Sequence, residues 1–185
     1  MALKIAVVGL SPSQSEAPWG DPEWKKYGLP WGQYWARLDK AFEMHDMRLL
    51  SSRFSRRQGD YFARLRECPR LYMQEAYTGL PAVPYPFDAV AESIGAYYFN
   101  SSIAYAMALA IHEGATDIAL FGVDMKGEDE YGYQRPNMEY LIGVARGKGI
   151  RVSVRDDSPL CKFQGDGIGF YEHKPTYHKR YGWLG

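Results

Sequence analysis

The sequence predicts an α/β fold, a three-layer sandwich around a mostly parallel central sheet. Residues 4–8 (KIAVV) form a largely apolar run, which is typical of a central strand buried on both faces. Residues 98–154 follow the pattern helix, strand, loop, helix, strand, which is the repeating unit of a parallel sheet with helices on its faces. The 185 residues suit a single domain with a substantial core. We therefore expect one Rossmann-like domain over residues 1–160.

The composition argues against several classes of partner. Acidic and basic residues are equal in number, 22 of each, so no overall field attracts nucleic acid or an anionic membrane. No run approaches the roughly 20 apolar residues that cross a bilayer. Cys68 and Cys161 lie far apart without a CxxC pattern, which argues against a disulfide framework or a zinc site. We expect a cytoplasmic protein that binds neither membrane nor nucleic acid.

The turn after the first predicted strand is the first candidate site. Gly9 is followed by a small polar segment at residues 10–15, where nucleotide-binding folds place a phosphate loop. This segment matches neither GxGxxG nor GxxxxGK(S/T). Gly9, Ser11 and Ser13 can still offer backbone N–H groups and hydroxyls to an anion, although the same residues also suit an ordinary turn.

Residues 17–35 are rich in proline, glycine and tryptophan, so they cannot form a long helix. A short second strand is predicted within them, at residues 25–29. Four of the five tryptophans lie in this segment, and we interpret most of them as loop packing. Trp31 is the exception that we expect to form a wall for a base or a sugar ring.

A third predicted strand, residues 41–44, ends beside His45 and Asp46. The carboxyl ends of parallel strands meet at the sheet edge where α/β folds bind ligands, so His45 is expected on the same edge as Gly9. Asp46 could orient the imidazole, which makes His45 a candidate catalytic base. The alternative is a surface histidine or a hydrogen-bonded core histidine.

The next elements extend the sheet. The pattern predicts a helix at residues 51–67, bent near Gly59, with its arginines on a solvated face. A fourth strand is predicted at residues 70–74. A proline-rich loop over residues 80–86 then leads to a short helix that ends near Ser93.

The segment from residue 98 onward carries most of the candidate site. A polar turn precedes an apolar helix at residues 103–112, whose start points backbone N–H groups and a positive dipole end toward a phosphate or carboxylate. The candidate binding residues of this turn are Asn100, Ser101 and Ser102. A buried strand at residues 117–123 ends on Asp124, a candidate catalytic residue for metal coordination or a hydrogen bond to a ribose hydroxyl. The alternative for Asp124 is a cap of the following turn.

A charged and aromatic loop at residues 126–135 is expected on the mobile side of the same pocket. Tyr131, Tyr133 and Arg135 are placed on the ligand side, where Arg135 suits bidentate contact with a phosphate or carboxylate. Glu139 could act as a base, or it could simply hold Arg135 in place.

The remaining pattern is a helix, a strand and an irregular end. Pro136 is predicted in the first turn of the helix, and residues 150–154 form the last strand. Residues 161–185 are aromatic and basic without periodicity. We interpret them as an arm or lid: an arm that packs on a neighbouring subunit of a homo-oligomer, a lid over the site, or a disordered basic tail.

Two stretches resemble known families. NSSIAYAMALAIHEGATDIALFGVDM is similar to the segment of bacterial family-42 sialyltransferases in which a small Ser/Gly turn starts an apolar helix and a strand ends in Gly-Ile-Asp. VVGLSPSQ resembles that family's Gly-x-Gly-Pro-Ser turn, with Leu10 in place of a glycine. A related pattern occurs in 6-hydroxymethylpterin diphosphokinase-like proteins. Nearly the whole chain also resembles a group of phage proteins with the motifs FE-x-HD, YMQ, VPYP and SSIAY, which implies the cytoplasm of a host cell.

The sialyltransferase resemblance implies a nucleotide site at the two polar turns and Asp124. It also implies that Tyr131 and Tyr133 stabilise a leaving phosphate, and that a histidine, here represented by His45, acts as the base. The first functional hypothesis is therefore a glycosyltransferase-like enzyme with a nucleotide-activated donor. The second is a phage protein that binds and sequesters a nucleotide-derived signalling molecule, and the third is a structural oligomer with a vestigial site. No residue is assigned to a metal, and no cofactor is identified.

Overall fold

The computed structural model describes residues 2–47, 58–125, 131–156 and 158–161, which form seven strands and four α-helices. The strands are β1 (Lys4–Val8), β2 (Trp24–Gly28), β3 (Lys40–Phe42), β4 (Leu71–Met73), β5 (Ala82–Pro84), β6 (Asp117–Phe121) and β7 (Arg151–Ser153). The helices are α1 (Gln58–Glu67), α2 (Phe87–Ile94), α3 (Ser102–His112) and α4 (Tyr131–Gly147). Two short 3-10 turns, Pro12–Glu16 and Trp35–Arg37, lie between the first three strands.

All seven strands join one parallel sheet in the order β5-β4-β3-β2-β1-β6-β7. The chain steps outward from β1 to β5, then returns to the other side of β1 to add β6 and β7. Parallel crossovers are right-handed, so reversing the direction moves the connections to the other face of the sheet. The direction reverses between β1 and β6, which makes this point the topological switch of the fold.

Successive side chains of β1 point to opposite faces of the sheet, and each face is covered by its own layer. Ile5 and Val7 belong to the core formed with α2, α3 and α4, whereas Ala6 and Val8 belong to the core formed with α1 and the tryptophan-rich segment. All four of these side chains are almost fully buried. A central parallel strand is apolar on both faces for this reason. The predicted Rossmann-like three-layer α/β fold is therefore confirmed, with a wholly parallel sheet in the described residues.

One predicted loop contains a strand. The proline-rich segment at residues 80–86 includes β5, which pairs with β4 in parallel register. A proline cannot donate to a sheet ladder, but β5 is an edge strand and Pro84 can face away from the neighbouring strand. The backbone N–H of Tyr85 then donates to the Met73 carbonyl at 2.8 Å, which extends the pairing past the proline.

The last helix begins earlier than the sequence predicts. Pro136 is expected in the first turn, but α4 begins at Tyr131 and contains Pro136 in its interior. Tyr131, Tyr133 and Arg135 therefore lie on a helix rather than in a loop. An interior proline removes one helical hydrogen bond. A carbonyl next to this gap, that of Tyr133, accepts instead from the Asn100 side chain at 2.7 Å.

Several predictions fall partly outside the described residues. They are the first part of the helix predicted at residues 51–67, the loop at residues 126–130, and the arm or lid beyond residue 161. The remaining predicted strands each agree with an observed strand to within about two residues at either end. Within the described part of the chain, no helix has the length and apolar character needed to span a membrane.

Candidate ligand pocket at the topological switch

A pocket of about 370 Å³ opens at the carboxyl edge of the sheet, above β1 and β6. Its volume lies within the range of small-molecule and cofactor sites. Strands at the centre of the sheet contribute residues just beyond their ends, and the starts of α3 and α4 complete the lining. The described lining residues are Gly9, Leu10, Ser11, Leu29, Trp31, Phe42, His45, Asn100, Ser101, Ser102, Ile103, Gly122, Val123, Asp124, Met125, Tyr131 and Gln134.

A tight backbone contact joins the ends of β1 and β6 and forms the floor of the pocket. A Cβ atom at Gly9 would overlap the Gly122 carbonyl oxygen and come within 2.9 Å of the Gly122 carbonyl carbon. Gly122 itself has φ of +66°, a conformation that side chains disfavour. The Gly9 N–H donates to Phe121 and the Ser11 N–H donates to Gly122, at 2.8 and 3.0 Å. We call this contact, made by Gly9 and Gly122, the glycine clasp.

The first polar turn supplies fewer binding groups than its sequence suggests. Ser11 lines the pocket, and its side chain makes no capping hydrogen bond. Ser13 lies outside the lining and is buried, and its hydroxyl accepts the Gly122 N–H at 2.9 Å. The Ser11 N–H is likewise occupied by the Gly122 carbonyl. Of the three predicted residues, Gly9 and Ser11 reach the pocket, while Ser13 braces the clasp.

The start of α3 forms one wall of the pocket and is held by side-chain bonds. The Ser101 hydroxyl caps the helix by accepting the Ala104 N–H at 3.3 Å. The Ser102 hydroxyl accepts the Met44 N–H at 3.2 Å and so ties this helix start to the segment after β3. Asn100 lines the pocket, and its Oδ1 atom is buried without a hydrogen-bond partner in the described structure.

The first turn of α3 carries backbone amides at the pocket. Among the described residues, the backbone N–H groups of Ser102 and Ile103 have no acceptor, as expected for the first turn of a helix. Both residues line the pocket, and the positive end of the helix dipole lies at the same place. This arrangement has the chemistry to accept a negatively charged group.

His45 lies at the mouth of the pocket and contacts a buried carboxylate. Its side chain is 55% exposed, and Nδ1 lies 2.5 Å from Oε1 of Glu43. The Glu43 side chain is only 1% exposed and accepts three further hydrogen bonds, from the His45 backbone N–H, the Trp31 indole and the Tyr61 hydroxyl. The carboxylate that contacts the ring is therefore Glu43, and the orienting role of Asp46 stays a prediction.

The environment of Glu43 keeps it ionised. Burial tends to raise the pKa of this carboxyl, but the hydrogen bonds from His45 and Tyr61 outweigh burial and hold the pKa below its ordinary range. The same contact has the opposite effect on its neighbour, since burial and the Glu43 charge raise the pKa of the Tyr61 hydroxyl. Trp31 stacks on Tyr61 with ring centroids 3.6 Å apart and also lines the pocket, so the cluster forms part of the pocket wall.

Asp124 follows β6 and lines the pocket on the side away from Glu43. Its carboxylate is partly buried and has no hydrogen-bond partner among the described residues. The turn that Asp124 would cap in its alternative role lies at residues 126–130, outside the described residues. Across the described structure, no group of three or more His, Cys, Asp or Glu side chains is arranged to hold a metal ion.

The residues of α4 divide between the pocket and the outer surface. Tyr131 lines the pocket, and so does Gln134, which no sequence pattern distinguishes. Tyr133 lies outside the lining and its side chain is exposed. Arg135 also lies outside the lining, and its Nε donates to Glu139 at 3.1 Å. This contact corresponds to the second role considered for Glu139, that of holding Arg135 in place.

The chain is an α/β protein with a pocket at its topological switch. No protein-family model and no curated protein matches the sequence. Among solved structures, it is similar to the sialyltransferase CstII from Campylobacter jejuni in complex with a substrate analogue, CMP-3FNeuAc. The identity is 14%, the match covers 98% of this chain and 99% of that chain, and the TM-score is 0.48. A likeness of this strength does not carry the activity of that enzyme over to this chain.

Proposed function

We propose that the pocket binds a nucleotide-activated donor and that the protein is a glycosyltransferase-like enzyme. The observation that carries the proposal is a pocket at the switch point whose lining combines an anion-binding helix start with a carboxylate-held histidine. The first feature suits the phosphate of a nucleotide. The second suits the removal of a proton from an attacking group, which simple binding does not need.

The phosphate would lie at the start of α3. Donors in the described lining include the amides of Ser102 and Ile103, the Ser11 hydroxyl and the Tyr131 hydroxyl. The described lining contains no lysine or arginine, and the helix start contributes only about half an elementary charge, which favours a single phosphate group over a polyphosphate. We therefore infer a donor in which one phosphate links the nucleoside to the transferred group. Tyr133 and Arg135, which lie outside the lining, are not part of the proposed binding set.

The walls of the pocket suit the rest of such a ligand. Trp31, Leu29, Phe42 and Ile103 supply aromatic and aliphatic surface on which a base or sugar ring can pack. Asp124 is a hydrogen-bond acceptor at the strand tip, which suits a ribose hydroxyl.

The proposed reaction is a group transfer with His45 as the base. Nε2 of His45 accepts the proton of an acceptor hydroxyl as the oxygen attacks the donor carbon. The bond from that carbon to the phosphate oxygen breaks, and the nucleotide leaves with both electrons. The helix start and Tyr131 stabilise the negative charge that develops on the leaving phosphate.

Binding is tested first, by thermal unfolding with a panel of nucleoside mono-, di- and triphosphates and monophosphate-linked sugars. A ligand at 100 times its dissociation constant stabilises a protein by about 2.7 kcal/mol, which is readily measured. We expect stabilisation by monophosphates with one preferred base, and weaker stabilisation by triphosphates. If no nucleotide shifts the unfolding temperature, the proposal is wrong.

Catalysis is tested with the nucleotide sugar that binds best. We expect donor turnover by the wild type to fall by a factor of about 100 or more in His45→Asn, because general base catalysis typically contributes that much. Asp124→Asn should weaken donor binding. His112→Asn is the matched control, since His112 lies at the far end of α3 and bonds to Ser93.

The sequestration hypothesis gives a different result in the same experiment. A sequestering protein binds the nucleotide tightly, shows no turnover, and binds equally well in His45→Asn. Tight binding without turnover would therefore replace the enzyme proposal by this alternative.

A further inference from the structure

Glu43 is a deeply buried carboxylate beside the pocket, with a side chain that is 1% exposed. It follows β3 directly, at a position where the chain is still enclosed by the core. Its Oε2 atom accepts from the Trp31 indole at 3.0 Å and from the Tyr61 hydroxyl, while Oε1 faces both the backbone nitrogen and the ring Nδ1 of His45. Donors from three separate segments therefore fix both oxygens of the carboxylate.

This arrangement decides which nitrogen of His45 carries the proton. Glu43 is ionised, since its pKa lies below the ordinary range, and an ionised carboxylate can only accept. The Nδ1 atom, 2.5 Å from Oε1, must then be the donor. In the neutral ring the lone pair lies on Nε2, which is the atom able to take a proton.

We propose that Glu43 is a positioning residue for His45: it holds the imidazole in the Nδ1–H tautomer and stabilises the imidazolium that forms when Nε2 accepts a proton. This inference rests on the proposed function, in which that proton comes from the acceptor hydroxyl. The role resembles the logic of a buried carboxylate behind a catalytic histidine, where the acid orients the ring and stays ionised. Glu43 itself touches neither donor nor acceptor.

Other ionisable groups surround the pair formed by Glu43 and His45. From α1, Tyr61 donates to Glu43, and Arg64 lies near Tyr61 while it bonds to the carbonyls of Pro30 and Trp31. Cys68 lies close enough to be affected, since burial and the Glu43 charge raise the pKa of its thiol to about 11. Asp46 is next to His45 in the chain, and Asp124 lines the same pocket.

The first experiment needs no ligand. Nitrogen-15 NMR of the imidazole side chains reports the tautomer and the titration midpoint of each of the four histidines, and His45→Asn assigns the His45 signals. In the wild type we expect His45 in the Nδ1–H tautomer at high pH. In Glu43→Gln the midpoint should fall to lower pH, because an opposite charge that favours the imidazolium has been removed.

The wild-type spectrum alone can overturn the proposal. A predominant Nε2–H tautomer in the wild type would contradict it, whether or not Glu43→Gln folds. So would an unchanged midpoint in a folded Glu43→Gln. This result is independent of donor binding, so a failure here is distinct from a failure of the proposed function.

The second experiment measures the rate of transfer against pH. We expect Glu43→Gln to lower kcat by a factor of about 100 at neutral pH with little change in KM, since the loss lies in proton transfer. The acidic limb of the pH profile should move in the same direction as the NMR midpoint. A purely structural role predicts instead a uniform loss of active protein, with an unchanged pH profile.

Discussion

The two sides of the pocket are built in different ways. At the switch point between β1 and β6, the glycine clasp is made almost entirely of backbone, and its geometry depends on the absence of side chains. At the end of β3, the wall is made of the side chains of Glu43, His45, Trp31 and Tyr61 around one buried charge. The clasp is specified by excluded volume and the cluster by hydrogen bonds.

The clasp and the cluster are expected to respond differently to substitution. Adding a single atom to the clasp forces two backbones apart, so its residues should tolerate no enlargement. In the cluster, removing a donor leaves the shape intact but weakens the solvation of the carboxylate. Substitutions in the clasp should therefore test the packing of the pocket, and substitutions in the cluster should test its electrostatics.

The largest effect is expected for Gly9→Ala. The new Cβ would overlap the Gly122 carbonyl, which is backbone and cannot rotate away, so the ends of β1 and β6 must separate. Overpacking at such a site destabilises by about 3 kcal/mol or more. Chemical denaturation of the variant measures this loss.

Gly20→Ala is the control for this prediction. A Cβ atom at Gly20 would meet no atom within 4 Å beyond its chain neighbours, so the free energy of unfolding should change little. Surface substitutions of this kind usually change it by about 0.5 kcal/mol at most. Equal stability of Gly9→Ala and Gly20→Ala would show that the clasp is not tightly packed.

A smaller effect is expected for Tyr61→Phe. This change removes a donor to the ionised Glu43 carboxylate while keeping the ring that stacks on Trp31. A hydrogen bond to a charged group contributes about 1.5 to 3 kcal/mol to stability. Tyr97→Phe should cost almost nothing, because Tyr97 is 72% exposed.

The pH dependence tests the physical cause of that cost. The pKa of Glu43 is lowered in the folded protein, so its contribution is present above the unfolded value of 4.5 and is lost as pH falls through the folded value. The stability gap between wild type and Tyr61→Phe should therefore narrow below about pH 4.5. A gap that stays constant into acid would mean that the charge on Glu43 plays no part.

The contrast between clasp and cluster also explains what the sequence could predict. The strand β1 and the strand tips at His45 and Asp124 follow from apolar runs and from the rule that parallel strands end at one edge. These are local patterns. The start of α3 was predictable for the same reason, since a polar turn before an apolar run is a typical helix cap.

Contacts between distant segments could not be predicted in this way. Ser13 accepts a hydrogen bond from Gly122, 109 residues away, so its hydroxyl serves the clasp rather than the pocket. Glu43 acquires its role from Trp31 and Tyr61, 12 and 18 residues away. The only sequence signal for Glu43 was an acidic residue within an apolar run, which a search for buried charge would have found.

The smallest effect on stability is expected at the start of α3, where backbone amides and a capping side chain lie together. Ser101→Ala removes the helix cap and should cost about 1 kcal/mol.

Ser101→Asn and Ser101→Asp both retain a capping oxygen, so both should unfold at nearly the wild-type temperature. Only Ser101→Asp places a negative charge beside the amides of Ser102 and Ile103, where a ligand phosphate is proposed to bind. Calorimetric titration with the preferred nucleotide should therefore show binding retained in Ser101→Asn and strongly weakened in Ser101→Asp. If Ser101→Asp binds as tightly as Ser101→Asn, the phosphate does not lie at this helix start, and the pocket must hold its ligand from the other side.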